Sequence, residues 1–131
     1  MFSPSAPKQS YNIGDKITAK GIDISYYQGN VNFVQAKNGG VQFVILREGY
    51  GTKIDSKFLT YAAAAQSANM PIHAVYHFCY AKTEAEALAE AKICLENVKK
   101  AGLDKSTIIF YDFEYDTVNS AAKKGIALGK D

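Results

Sequence analysis

No stretch of about 18 consecutive apolar residues occurs in this 131-residue chain, so no membrane-spanning helix is expected. A basic block is missing as well. The 15 Lys and Arg are interspersed with 13 Asp and Glu for a formal charge of +2, which leaves no electrostatic footprint for nucleic acid. Cysteine is scarce: Cys79 and Cys94 stand alone, with no C-x-x-C spacing, which excludes a disulfide framework and favours two free, buried thiols. The opening "MFSPSAPKQSYNIGDK" has neither a basic n-region nor an apolar h-region, so it is not read as a signal peptide. Residues 1–19 are taken instead as an N-terminal extension or linker. There is no internal repeat, and nothing of low complexity beyond "AAAA".

What is present is a single domain's worth of apolar residues, 47% of the chain with 12% aromatic, arranged as strand-like runs alternating with helical patterns. "GIDIS" (21–25), "VQFVILREG" (41–49), "PIHAVYHF" (71–78) and "STIIFYDFE" (106–114) read as strands. Between them, "VNFVQAKNGG" predicts a short helix stopped by Gly39 and Gly40. "DSKFLTYAAAAQSAN" predicts a second, with Asp55 or Ser56 as cap and Phe58, Tyr61, Ala62 and Ala65 on one face. "TEAEALAEAKICLENVKKAG" is the clearest helix, with Thr83 and Glu86 spaced as a capping box and an apolar stripe of Leu88, Ala91, Leu95 and Val98. "VNSAAKKGIALGKD" begins a fourth. Four β-α units in succession predict parallel strands joined by right-handed crossovers, in a doubly wound sheet or a (β/α) barrel.

In every strand the unusual polar residues come at the C-terminal end: Asp23, then Arg47 and Glu48, then His77, then Asp112 and Glu114. That is the face on which barrel enzymes build their sites. A Rossmann-type sheet would need a glycine-rich phosphate loop after its first strand, and "DISYYQGN" offers none. Gly49-x-Gly51 is too weak a signal to carry a nucleotide. On one continuous strand, Asp112 and Glu114 would have Cβ atoms about 6.5 Å apart on one face. Such a pair suits general acid and base work on a glycosidic bond, because unequal burial separates the two pKa values. Tyrosines near that end, Tyr26 and Tyr50 among them, offer flat surfaces for sugar rings, although ordinary rim packing accounts for at least half of the tyrosines.

The ordered set "GIDISYYQGNVNF", "FVILREGYGTKIDSKF", "PIHAVYHF" and "IIFYDFEYD" resembles the N-terminal part of glycoside hydrolase family 25, the Chalaropsis-type lysozymes of bacteria and phage endolysins. The resemblance runs from about residue 20 to the end. It implies a TIM-like (β/α) barrel of which this chain carries the first four β-α units, so that 20–131 would be the N-terminal part of a catalytic domain. It implies hydrolysis of the β-1,4 bond between N-acetylmuramic acid and N-acetylglucosamine in peptidoglycan, outside the cell or at the wall, with no cofactor and no metal. The D-x-E motif falls on Asp112 and Glu114, with Glu114 as general acid and base and Asp112 orienting the acetamido group or stabilising positive charge. Asp23 matches the acidic residue of the family's first strand, and Tyr76 and His77 of Y-H-F would line the glycan cleft. Arg47 would organise the barrel interior by ion pairing, and Asp116 would mark a solvated strand exit.

Asn32, where the family often has Asp, and Cys79, where a small polar residue is common, depart from the pattern without touching this chemistry. Length departs more seriously, since a closed eight-stranded barrel needs roughly twice four β-α units. A dimer or a complementing C-terminal segment is therefore expected to complete the barrel. Two other readings stand beside this one: a non-catalytic glycan-binding half-barrel, and a metal-dependent hydrolase using Asp23, His77, Asp112 and Glu114 as ligands.

Overall fold

The computed structural model of the protein describes residues 18–126. Nearly all of the expected extension 1–19, and the last residues of the expected fourth helix, lie outside that range. Four parallel strands, β1 (Gly21–Ile24), β2 (Phe43–Tyr50), β4 (Ile72–Phe78) and β5 (Ile108–Asp112), form one sheet in the order β1-β2-β4-β5. Helices α1 (Phe33–Asn38), α2 (Phe58–Ser67) and α3 (Glu84–Lys100) make the crossovers, and α4 (Tyr115–Ala122) follows β5. A two-residue strand, β3 (Lys53–Ile54), folds back antiparallel on the end of β2, a hairpin the sequence reading did not anticipate. Gly49 and Gly51 serve this hairpin and not a phosphate: a Cβ on Gly49 would clash with the Lys53 carbonyl oxygen, and Gly51 has φ +54°.

The two faces of the sheet have different fates. Ile24, Val44, Leu46 and Val75 point to the helices and pack with Phe33 of α1, Phe58, Tyr61, Ala62 and Ala65 of α2, and Cys94 and Val98 of α3. This is the single core, and the α2 face is the one the periodicity predicted. The opposite face, carrying Asp23, Ile45, Tyr76, Phe110 and Asp112, borders an open concavity of about 570 Å³. It corresponds to the lumen side of a barrel.

Three expectations about the elements change. Helix α2 starts at Phe58 with Lys57 at its N-cap, so neither Asp55 nor Ser56 is the cap residue; Asp55 precedes the cap, its Oδ1 accepting from the Lys57 N–H and its Oδ2 from Arg47. The α3 stripe is rotated: Leu88 and Leu95 are 63% and 52% exposed, whereas Glu90, Cys94, Asn97 and Val98 are buried. Polar groups on the helix side of the sheet draw two of them inward, Asn97 to Glu48 and Glu90 to the Tyr111 hydroxyl. The fourth strand stops at Asp112, and Glu114 is the N-cap of α4. Strand β5 is exposed over most of its length, and among the described residues it pairs only with β4.

Candidate active site

Asp23, Tyr76, Asp112 and Glu114 come together around the lumen-side concavity, at the C-terminal end of the parallel strands. Asp23 is exposed on β1, and Asp112 is half-buried at the last position of β5. Glu114 is exposed, two residues beyond the strand, where α4 begins. The two carboxyl groups border the same concavity. Donation from the protonated Glu114 carboxyl to the Asp112 carboxylate, with lesser contributions from burial and from the charges of Asp112 and Asp116, raises the Glu114 pKa above its ordinary value. Tyr76 lies between the acidic groups and Arg47. Burial raises its pKa most, Arg47 opposes that rise, and Asp23, Asp112 and Asp55 add to it. Asp116, exposed in the first turn of α4, acts on the site only through its charge on Glu114.

Next to the carboxylates lies an aromatic cluster organised by one guanidinium. Arg47 Nε donates to Asp55 Oδ2 at 2.9 Å, and its guanidinium carbon sits 5.2, 5.4 and 4.9 Å from the ring centres of Tyr26, Tyr27 and Tyr50. Its buried Nη2 has no hydrogen-bond partner, and the surrounding π-faces are what the charge meets in place of one. Asp55 also accepts from the backbone N–H of Tyr26 at 3.1 Å and of Lys57 at 2.9 Å. The ion pair thus ties the end of β1 to the start of α2. The inner faces of Tyr26 and Tyr50 are taken by Arg47, and a sugar would meet only their outer sides. Arg47 has the organising role the sequence reading gave it.

His77 is not at the cleft. Consecutive residues of a strand face opposite sides of the sheet, so Tyr76 on the lumen face puts His77 among the helices, 1% exposed. There Nδ1 lies 2.6 Å from Glu48 Oε2 and Nε2 lies 2.9 Å from the Gly51 carbonyl oxygen. Glu48 is buried with it and accepts from Asn97 Nδ2 at 2.5 Å. Glu90 accepts from the Tyr80 N–H and from the Tyr111 hydroxyl at 2.9 and 2.6 Å. The proposed ligand set of Asp23, His77, Asp112 and Glu114 is therefore split across the sheet, which removes that metal reading. The only group of potential ligands brought together among the described residues is Glu48, His77 and Cys94. It is a poor one: both ring nitrogens of His77 are engaged, and burial, with Glu48 close by, pushes the Cys94 thiol up to about 12. Cys79 and Cys94 are both free and buried.

The model of Glycosyl hydrolases family 25 matches residues 22–128. This chain belongs to glycosyl hydrolases family 25. Among relatives, it is similar to a protein named N,O-diacetylmuramidase from Arthroderma benhamiae, 37% identical over 70 residues, covering 53% of this chain and 30% of that protein. Among solved structures, it resembles the modular autolysin LytC of Streptococcus pneumoniae in complex with a synthetic peptidoglycan ligand, with TM-score 0.64, 26% identity, and coverage of 83% of this chain and 31% of that one. A family 25 glycosyl hydrolase from Bacillus anthracis shares the fold at TM-score 0.65 and 18% identity, over 90% of this chain and 52% of that one. The chain thus spans about a third of the length of the muramidase and the autolysin it matches.

Within the family 25 chain, the buried Glu48–His77 pair sets a stability prediction. Burial would lower the His77 pKa, but the hydrogen bond and charge of Glu48, the charge of Glu90 and the Gly51 carbonyl together raise it above 6.5. Both partners are acceptors, so only the imidazolium satisfies both. A folded-state pKa above the unfolded value favours the protonated protein. Stability is then fully present below about pH 6.5 and lost as pH rises through the folded-state pKa. Denaturant unfolding at fixed protein concentration is expected to show this decline, and Glu48→Gln is expected to flatten it. A slope that Glu48→Gln leaves unchanged would assign the titration elsewhere.

Sequence reasoning missed Asp55, Glu90 and Thr117. Glu90, Cys94 and Asn97 recur at helical spacing on α3, so a polar stripe matched to polar residues of adjoining strands was the available signal. Thr117, three residues after Glu114, carried a fainter one.

Proposed function

We propose that this chain is part of a peptidoglycan hydrolase, an N-acetylmuramidase that cleaves the β-1,4 bond between N-acetylmuramic acid and N-acetylglucosamine. Residues 20–131 are its portion of the catalytic domain, and 1–19 an extension or linker. The observation that carries the reading is the Asp112–Glu114 pair beside Tyr76 and Asp23. A carboxyl whose pKa is raised by a neighbouring carboxyl can hold a proton for the leaving oxygen, while the half-buried partner stays available to face positive charge. In this reading Glu114 is the general acid and base. Asp112 orients the acetamido group or stabilises the cation-like transition state, and Asp23 supports it from β1. Tyr76, Tyr26 and Tyr50 contact the glycan, and His77 acts only through the interior of the fold.

Family membership supports the reaction class, and similarity to an N,O-diacetylmuramidase and to an autolysin solved with a peptidoglycan ligand supports the substrate. Peptidoglycan places the action outside the cell or at the wall. Asp112→Asn and Asp23→Asn are each expected to lower wall lysis by the full-length protein by at least about tenfold, with smaller effects on glycan binding. Lysis would be read by turbidity clearing and binding by wall pull-down. A variant that keeps the full rate has only a structural role at that position.

A further inference from the structure

Thr117 has no part in the chemistry above, yet it is 1% exposed and its hydroxyl is fully used. Oγ1 donates to the Cys79 carbonyl oxygen at 2.7 Å, and the same oxygen accepts from the Glu114 backbone N–H at 3.2 Å. The Thr117 N–H returns a bond to the Glu114 carbonyl at 3.0 Å. Both main-chain polar groups of Glu114 are therefore held by Thr117. Thr117 is fixed in turn to the end of β4 and not to β5, the strand Glu114 follows. The N–H of the same residue completes the arrangement, because Cys79 donates it to the Asp112 carbonyl at 2.8 Å. One residue at the end of β4 thus anchors Asp112 through its N–H, and Glu114 through its C=O with Thr117 between. The tie matters because Glu114 stands outside the strand ladder and its side chain is exposed, so nothing in the sheet itself fixes its distance from Asp112.

We propose that Thr117 is a positioning residue that sets the separation of Glu114 from Asp112 by tethering the start of α4 to the Cys79 carbonyl. The proposal rests on the muramidase reading, in which that separation governs proton donation. Thr117→Val keeps the shape and removes both hydroxyl bonds. In the full-length protein it is expected to lower kcat on peptidoglycan about 10²-fold, the scale of a displacement of about 1 Å in a catalytic group, with KM nearly unchanged. The kcat pH profile should also move. As Glu114 drifts from Asp112 its pKa falls towards that of an ordinary glutamate, and the limb on which activity is lost with rising pH shifts to lower pH. Thr117→Ser keeps both bonds and is expected to restore the rate to within about threefold, with the limb where the wild type has it.

A Thr117→Val enzyme with the wild-type rate and profile would overturn the proposal. So would a Thr117→Ser enzyme impaired at least tenfold, which decides the matter even where the valine variant does not fold. Glu114→Gln run alongside separates the two layers: retained lysis there removes the muramidase assignment of Glu114. Lost lysis with an unaffected Thr117→Val removes only the positioning role.

Discussion

Glu114→Gln is expected to abolish most wall lysis by the full-length protein, by about 10² to 10⁴-fold in kcat, the range that a positioned general acid supplies. The amide is isosteric but has no proton to give to the leaving oxygen. Folding should survive, because the bonds that Glu114 makes to α4 and to Thr117 run through its backbone, and the side chain is exposed. The wild-type pH profile supplies a second, independent arm. A general acid must be protonated, so the rate falls as pH rises through the Glu114 pKa, which hydrogen bonding of its proton to Asp112 holds above its ordinary value. Asp112→Asn removes that neighbouring acid and should carry the limb to lower pH as well as reduce the rate. Retained lysis in Glu114→Gln, or a limb unmoved by Asp112→Asn, would take Glu114 out of the acid role.

The alternation of strands and helices, the parallel pairing of the strands and the placing of Asp23 and Asp112 at one end were legible in the sequence, whereas Tyr76 entered through the family resemblance. Each of the three follows from a local signal: β-branched runs between glycines, helical periodicity, or a polar residue at a strand end. The Thr83 cap was legible too, and its hydroxyl accepts from the Glu86 N–H at 3.2 Å. His77 was misplaced although alternation alone separates it from Tyr76. The register shifts between Arg47 and Gly49 and between Val44 and Ile45 show that alternation must be followed through irregular pairing before a face can be assigned. The end of the fourth strand was not legible, because aromatic residues through Phe113 favour a strand while the helix start is decided by the tertiary tether at Thr117. The α3 stripe failed for a related reason. Periodicity identifies faces, but only the partner decides which is buried, and the partner here is the polar cluster of Glu48, His77 and Tyr111.

The purified 131-residue chain is expected to associate in solution and to lack lysozyme activity by itself. Phe110 borders the open concavity at 52% exposure, Ile108 is 56% exposed at the start of the same strand, and Ile109 and Tyr111 lie exposed beside Leu95 of α3. Burying such residues is worth about 25 cal/mol for each Å² of apolar surface removed from water. The outer edge of β5, unpaired among the described residues, adds a row of backbone donors and acceptors able to pair with another strand. A two-fold dimer joined along "TIIFYDFE", or a complementing segment that extends the sheet from β5, satisfies both at once. Catalysis depends on that cover as well. Asp112 and Glu114 now border an open concavity, and a site that cannot exclude water or hold a distorted sugar loses the environment in which a paired acid and carboxylate are effective. Light scattering and turbidity clearing on the same preparation test the two halves together. An assembly with no lysis, in which lysis appears when a complementing segment is supplied, is the expected result; a stable monomer that clears cell walls would show that four strands are sufficient for the reaction.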